Sequence, residues 1–131
     1  MIGYVTVGTN DLERAARFYD PIAAELGVGR MMDFDSFIAW GNMDGAAGIA
    51  ATNTFDGEAA TVGNGTMVAL QAQDRDQVQR LYDIALANGG TSEGEPGPRG
   101  EPDANGMVFY AAYFRDPDGN KLNAFLMDKV T

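Results

Sequence analysis

The chain has 131 residues, 45% of them hydrophobic, enough for one domain with a real core and too few for two independent ones. Nineteen Asp and Glu against nine Lys and Arg give a formal charge of −10, which repels nucleic-acid phosphates and anionic membrane surfaces. Cysteine is absent, which excludes a disulfide framework, thiolate catalysis and thiolate-held zinc; histidine is absent too, which removes the commonest general base. No apolar run approaches the ~20 residues of a membrane span, and no basic-then-apolar leader precedes the first strand pattern, so the cytoplasm is the expected compartment.

Ile2 to Val7 is a β-rich run. Asn10-Asp11-Leu12-Glu13 follows as a capping-box-like start, with Glu13 three residues after Asn10. Leu12, Ala15, Ala16, Tyr19, Ala23 and Leu26 then recur at helical spacing until Gly27 stops the helix. Pro21 lies inside this run and predicts a kink or a lost bond at the Arg17 carbonyl. Strands are expected over 29–34, 36–40 and 47–52, separated by Asp35 and by Asn42 to Gly45.

The second half replays the first. Thr66 to Leu70 reads as a strand, and Asp74 with Gln77 starts a second helix. Val78, Leu81, Tyr82, Ala85 and Leu86 form its apolar stripe, ended by Gly89-Gly90. Tyr4 to Met67 (67 − 4) and Tyr19 to Tyr82 (82 − 19) both span 63 residues, so strand and helix share one offset. The repeat divides the chain into halves of about 1–60 and 63–131. Each half reads β-α-β-β-β. The expected fold class is therefore α+β: two tandem modules forming a cup-shaped mixed β-sheet with helices outside. A ferredoxin-like pair of β-α-β units is the competing architecture, but its helices follow a different rhythm. Ser92 to Asn105, rich in proline and glycine, reads as a long irregular loop, either a lid or a solvated crossing.

Asp116-Pro117-Asp118-Gly119 is a tight turn in which proline presets φ, Asp118 bonds its own backbone and Gly119 supplies a positive φ. The following strand alternates Lys121, Asn123 and Phe125 with Leu122, Ala124 and Leu126. The stretch from Arg115 to Asn123 resembles the last hairpin of the vicinal-oxygen-chelate superfamily, which includes glyoxalase I, bleomycin-resistance proteins and extradiol dioxygenases. Asn10 through Phe18-Tyr19 resembles the start of that superfamily's first helix, and Asn88-Gly89-Gly90 the exit of its second. The resemblance covers nearly the whole chain. In many members a histidine on the first strand, another on the fifth and a carboxylate on the eighth converge on a divalent metal.

The positions resembling those ligands are Tyr4, Met67 and Asn123. A neutral phenol, a thioether and an amide supply none of the imidazole, thiolate or carboxylate that zinc, iron or nickel wants, and Met67 alone would suit a soft ion such as Cu(I). No metal and no other cofactor is therefore expected. In a closed core these residues would be packing; in a cup they line a cavity suited to an organic molecule. Phe37 and Trp40 are an odd number of residues apart, so one of them faces the cup, and Trp40 is preferred for its indole N–H. Superfamily members often carry an aromatic pair resembling Phe109-Tyr110, of which only one can face inward.

Any catalytic base would have to be Asp, Glu, Lys or Tyr, with Glu58 and Asp33 as candidates that nothing places in the cup. The phosphate-loop pattern is absent. The sequence thus predicts a metal-independent small-molecule binder of the bleomycin-resistance type, holding an organic ligand of cationic or aromatic character. The alternatives are a metal-free lyase or isomerase acting on a small metabolite, and a structural or sensory module with a filled cup. The expected partners are a small organic ligand and, because open sheet edges need covering and family members commonly pair, a second copy of the chain in a homodimer. Nucleic acid and membrane are not expected partners.

Overall fold

The structure is a computed structural model that describes residues 1–130. β1 (Tyr4–Gly8) leads into α1 (Leu12–Glu25). Asp11 caps α1, its carboxylate accepting from the Arg14 N–H at 3.1 Å, so the cap falls one residue later than the expected Asn10. Asn10 is engaged elsewhere: its side-chain carbonyl accepts from the Ala60 N–H at 2.8 Å. The helix runs on through Pro21 and ends at Gly27, whose φ of 78° lets Val28 N–H reach the Ala23 carbonyl at 2.9 Å. β2 (Gly29–Phe34), β3 (Phe37–Gly41) and β4 (Gly48–Thr52) complete a four-stranded sheet in the order β1-β4-β3-β2, with β1 parallel to β4 and the other pairs antiparallel.

The second half builds the same topology. β5 (Val68–Gln71), α2 (Arg75–Ala87), β6 (Thr91–Arg99), β7 (Met107–Arg115) and β8 (Lys121–Lys129) give a sheet ordered β5-β8-β7-β6, again with one parallel and two antiparallel pairs. The helices start 75 − 12 = 63 residues apart, as the repeat predicts. Asp74 caps α2 through the Gln77 N–H at 2.8 Å, and the Gln77 side chain folds back to accept from Gln73 N–H. The architecture is the expected α+β arrangement of two β-α-β-β-β modules, with each module keeping its own hydrogen-bonded sheet.

Alternation decides which face of each sheet the helices cover. Val7, Ile38, Trp40, Ile49 and Ala51 of the first sheet join Ala112, Phe114, Leu122 and Ala124 of the second in one core with both helices. α1 and α2 also touch each other, and the Phe18 ring lies 6.4 Å from Phe114 of the other module. The opposite face of each sheet carries no helix. It holds Tyr4, Thr6 and Phe37 in one module and Phe109, Tyr113, Asn123 and Phe125 in the other.

The segment 92–105 departs from its expected irregularity. Most of it is β6, a nine-residue edge strand, and only the residues from Gly100 to Gly106 form a connection. Two register irregularities, at Ser92/Gly94 and Gly94/Gly97, fit its glycines and prolines to the ladder. An edge strand pairs on one side alone, so Pro96 and Pro98 are tolerated there as they would not be in a central strand.

The β7–β8 turn fastens the modules together. Asp116, 4% exposed, accepts on one oxygen from the N–H groups of Asp118 and Asn120 and on the other from the Tyr19 hydroxyl at 2.6 Å and the Asn120 amide at 2.9 Å. Asn120 also donates to the Gly8 carbonyl, and Asp118 receives Thr9 and Arg14. Burial, and then the Asp116 carboxylate, push the Tyr19 hydroxyl pKa well above its ordinary value. The turn that carries the resemblance is a clamp between the modules.

Candidate functional site

The helix-free face of the second sheet gathers the chemistry. β8 presents Lys121, Asn123 and Phe125 on this side, and the ladder sets Tyr113 directly across from Asn123 and Ala111 across from Phe125. Ala69 of β5 flanks Asn123 on its other side. Phe109 stacks on Phe125 with ring centroids 5.4 Å apart and planes 18° apart. The Tyr113 ring carries two cations, Arg99 and Lys121, each 5.4 Å from its centroid. Arg99 is held in place by its own strand, donating to the carbonyls of Gly97 at 2.9 Å and Glu95 at 2.7 Å. Glycine makes room for it: a Cβ on Gly94 would come within 3.0 Å of the Arg99 Nη2.

Asn123 lies at the centre of this face and is 1% exposed, yet its side-chain oxygen is buried without a hydrogen-bond partner among the described residues. Buried acceptors are nearly always satisfied, so this oxygen is an exception in the folded chain. Glu93, on the edge strand beyond Tyr113, is engaged by Arg115 at 2.7 Å, and that hydrogen bond holds the Glu93 carboxyl below the usual carboxylate range.

Two of the sequence-predicted residues fall on this face: Asn123 and Phe109. Tyr110 points to the helix side, where the Arg75 guanidinium sits 4.5 Å over its ring, so Phe109 is the inward member of the aromatic pair. Tyr4 belongs to the helix-free face of the other sheet, 45% exposed and edge-on to Phe37 at 5.7 Å. Met67 precedes β5 by one residue and is 41% exposed. Trp40 reverses the expectation for β3. It is buried in the core with its indole N–H donating to Asp20 at 2.7 Å, and Phe37 takes the helix-free side. The indole proton needed a partner, and a carboxylate on the adjoining helix supplied one. Tyr113, Phe125 and Lys121 are not site residues on the sequence reading, although the alternation of β8 already places Phe125 beside Asn123, and Arg99 lies in the segment read as a lid or a solvated crossing.

A cleft of about 970 Å³ runs between the modules on the helix side, reaching the helix-free face of the second sheet only at its Ala69, Phe125 and Met127 edge. Ile22, Trp40 and Ile49 border it on one side and Leu70, Phe125 and Leu126 on the other. It follows from the topology, since β1 and β5 each have a strand neighbour on one side only and leave a gap between the sheets. Its volume is at the upper end of the usual range for small-molecule pockets.

The residues at the resembling metal positions do not fit a divalent ion. Tyr4, Met67 and Asn123 offer a phenol, a thioether and an amide, and they are divided between two sheets. Among the described residues no group of three His, Cys, Asp or Glu side chains is placed to hold a metal. No helix is long and apolar enough to cross a membrane among the described residues.

No protein of curated function is similar enough to match this chain. Among solved structures, a glyoxalase/bleomycin resistance protein from Albidiferax ferrireducens T118 is 37% identical, with a TM-score of 0.83 over 95% of this chain and 98% of its own. A glyoxalase/bleomycin resistance protein/dioxygenase family enzyme from Burkholderia phytofirmans PsJN shares the fold at 17% identity, with a TM-score of 0.69 over 94% of this chain and 95% of its own. A hypothetical protein from S. aureus does so at 21% identity, with a TM-score of 0.68 over 94% and 91%. The sequence model of one family matches residues 1–124, and with it the chain belongs to the Glyoxalase/Bleomycin resistance protein/Dioxygenase superfamily.

Proposed function

We propose that this member binds an organic molecule of aromatic or apolar body on the helix-free face of its second sheet, and does so without a metal. The observation that carries the reading is the buried, unpartnered carbonyl oxygen of Asn123 set among Phe109, Tyr113 and Phe125. A largely apolar surface with one orienting polar group is the usual make-up of a small-molecule site. A ligand N–H or O–H would satisfy the orphan acceptor. Contact requires a flanking side chain to swing aside, and Lys121, held by no carboxylate among the described residues, is free to do so. The cleft meets this face at its Ala69, Phe125 and Met127 edge and gives the ligand body somewhere to extend.

Binding is favoured over lyase or isomerase chemistry by the state of the carboxylates. Glu93 is the acid beside the site, and Arg115 keeps it a weak base. Asp33 is exposed and paired with Arg30 on the other sheet, and Glu58 is exposed in the segment between the modules. Metal independence rests on the donor chemistry of Tyr4, Met67 and Asn123.

The test is native mass spectrometry of freshly purified protein, followed by extraction and elemental analysis. A co-purifying organic mass that shifts the Asn123 side-chain amide resonance on rebinding is the expected result. Zinc, nickel or iron at about one per chain, removable by chelator, would overturn the metal-free reading. A ligand whose rebinding leaves the Asn123 and Tyr113 resonances unmoved would overturn the site.

A further inference from the structure

The binding reading leaves open what charge the ligand carries, and the net charge of −10 points toward a cation. The local field says otherwise. Arg14, Arg30, Arg75, Arg80 and Arg115 each form an ion pair with a carboxylate. Arg17, Arg99, Lys121 and Lys129 form none among the described residues, and of these Arg99 and Lys121 sit over the same Tyr113 ring, across the ladder from the orphan acceptor of Asn123. Half-buried cations that lie on an aromatic floor without a direct carboxylate partner keep hydrogen-bond donors for an incoming anion.

We propose that this face selects a carboxylate-bearing ligand, with Arg99 and Lys121 as the anion contacts, Phe109 and Phe125 under the ligand body, and a ligand hydrogen-bond donor on Asn123. The inference rests on the binding reading above and gives the ligand its chemical class. Arg99 is prepared for the task. Of the five N–H donors of a guanidinium, Nη1 donates to the Gly97 and Pro98 carbonyls and Nη2 to the Glu95 carbonyl, which fixes the plane and leaves Nε and one Nη2 proton for an incoming anion. Gly94 and Gly97 keep the strand beneath it bare, since a Cβ on either would come within 3.0 Å or 3.2 Å of its terminal nitrogens. Lys121 adds a mobile point charge on the opposite strand of the ladder. Glu93 is close enough to feel the charge of Lys121, but its hydrogen bond goes to Arg115, so it engages no donor of Lys121 or Arg99. The long-range acidity of the chain is screened over about 10 Å at ordinary ionic strength, so contact charges decide the selection.

The experiment titrates the intact protein with three matched probes: 4-hydroxyphenylacetate, its neutral amide, and tyramine. Binding is read by calorimetry and by the Tyr113 and Asn123 resonances. The acid should bind about tenfold more tightly than the amide, the amine should bind most weakly, and added salt should erode the preference. Lys121→Met, which keeps an apolar stem of similar length, should reduce the preference for the acid over the amide, and Lys121→Met combined with Arg99→Gln should abolish it. Arg99→Lys, which keeps charge but loses the fork, should retain part of the preference. Equal affinity for all three probes, tightest binding of tyramine, or a preference that survives Lys121→Met combined with Arg99→Gln would overturn the anion inference and leave the binding site standing. If none of the probes binds at millimolar concentration, the anion inference and the binding reading fall together.

Discussion

Replacing Asn123 by leucine separates a binding residue from a structural one by the sign of its effect on stability. The side chain is 1% exposed and its oxygen has no partner, so the folded protein carries the cost of an unsatisfied buried acceptor, about 1–3 kcal/mol. Leucine branches at the same carbon and removes that cost. Against this stands the fit of two methyl groups between Tyr113 and Ala69, and overpacking in a tight site costs about 1–3 kcal/mol. The near cancellation predicts a free protein as stable as the parent or up to about 1 kcal/mol more stable, a rise in Tm of roughly 3–5 °C at most for a chain of this size. Ligand affinity should fall, because a hydrogen bond worth about 0.5–1.5 kcal/mol net is lost, a factor of roughly two to ten. Thermal and urea denaturation of the free protein give the first quantity, and titration with the co-purifying ligand gives the second. A drop in Tm of several degrees with affinity intact would mean that Asn123 holds the fold together, and the reasoning about its orphan oxygen would be refuted.

Tyr19→Phe should cost about 2 kcal/mol in urea denaturation without altering ligand affinity, because it removes a hydrogen bond to a buried carboxylate that keeps its other donors. The raised pKa of Tyr19 means that its contribution is fully present below the ordinary tyrosine value of about 10 and is lost as pH rises through the higher folded value, so the phenylalanine variant should show a flatter alkaline limb. At the acid end, Arg30 holds the Asp20 carboxyl low by hydrogen bonding, with burial opposing and the Trp40 N–H adding to it; stability is present above about pH 4 and lost as pH falls through the depressed value, and Asp20→Asn should flatten that limb in pH-resolved melting curves. The one-sided edges of β1 and β5 predict a homodimer, which a monomeric mass by light scattering at micromolar concentration would contradict.

Helices, and most strands, were legible because local chemistry and burial agree in them. The capping side chain of Asp74, the glycines at 27 and 89, and the apolar stripe of α2 each act within a few residues of where they are written. β6 was misread because proline and glycine argue against a strand locally, while the exposed edge of β7 offered a ladder that only the tertiary fold reveals. Trp40 was assigned to the wrong side for a similar reason. The sequence shows that Phe37 and Trp40 face opposite ways, but the partner that decides between them, Asp20, sits twenty residues earlier on a helix. The cations over Tyr113 were illegible for want of register: Arg99 meets Tyr113 only because bulges in β6 carry it there.

The last hairpin joins two roles that the structure separates. Asp116, Asp118 and Asn120 face the other module, where Tyr19, Thr9, Arg14 and the Gly8 carbonyl take up their hydrogen-bonding capacity. One step further along the chain the backbone enters β8, and alternation sends Lys121, Asn123 and Phe125 to the face that no helix covers. A sheet covered on one side only leaves the other face open to change, because packing against the helices does not constrain it. On that open face a ligand set of imidazoles and carboxylate can be exchanged for a phenol, a thioether and an amide without disturbing the clamp one turn away. The fold therefore persists on its clamp and its core, while the chemistry of the open face is set by a few alternating positions. In this chain those positions carry aromatic rings, two cations outside the ion pairs of the described residues, and an amide oxygen without a hydrogen-bond partner among them.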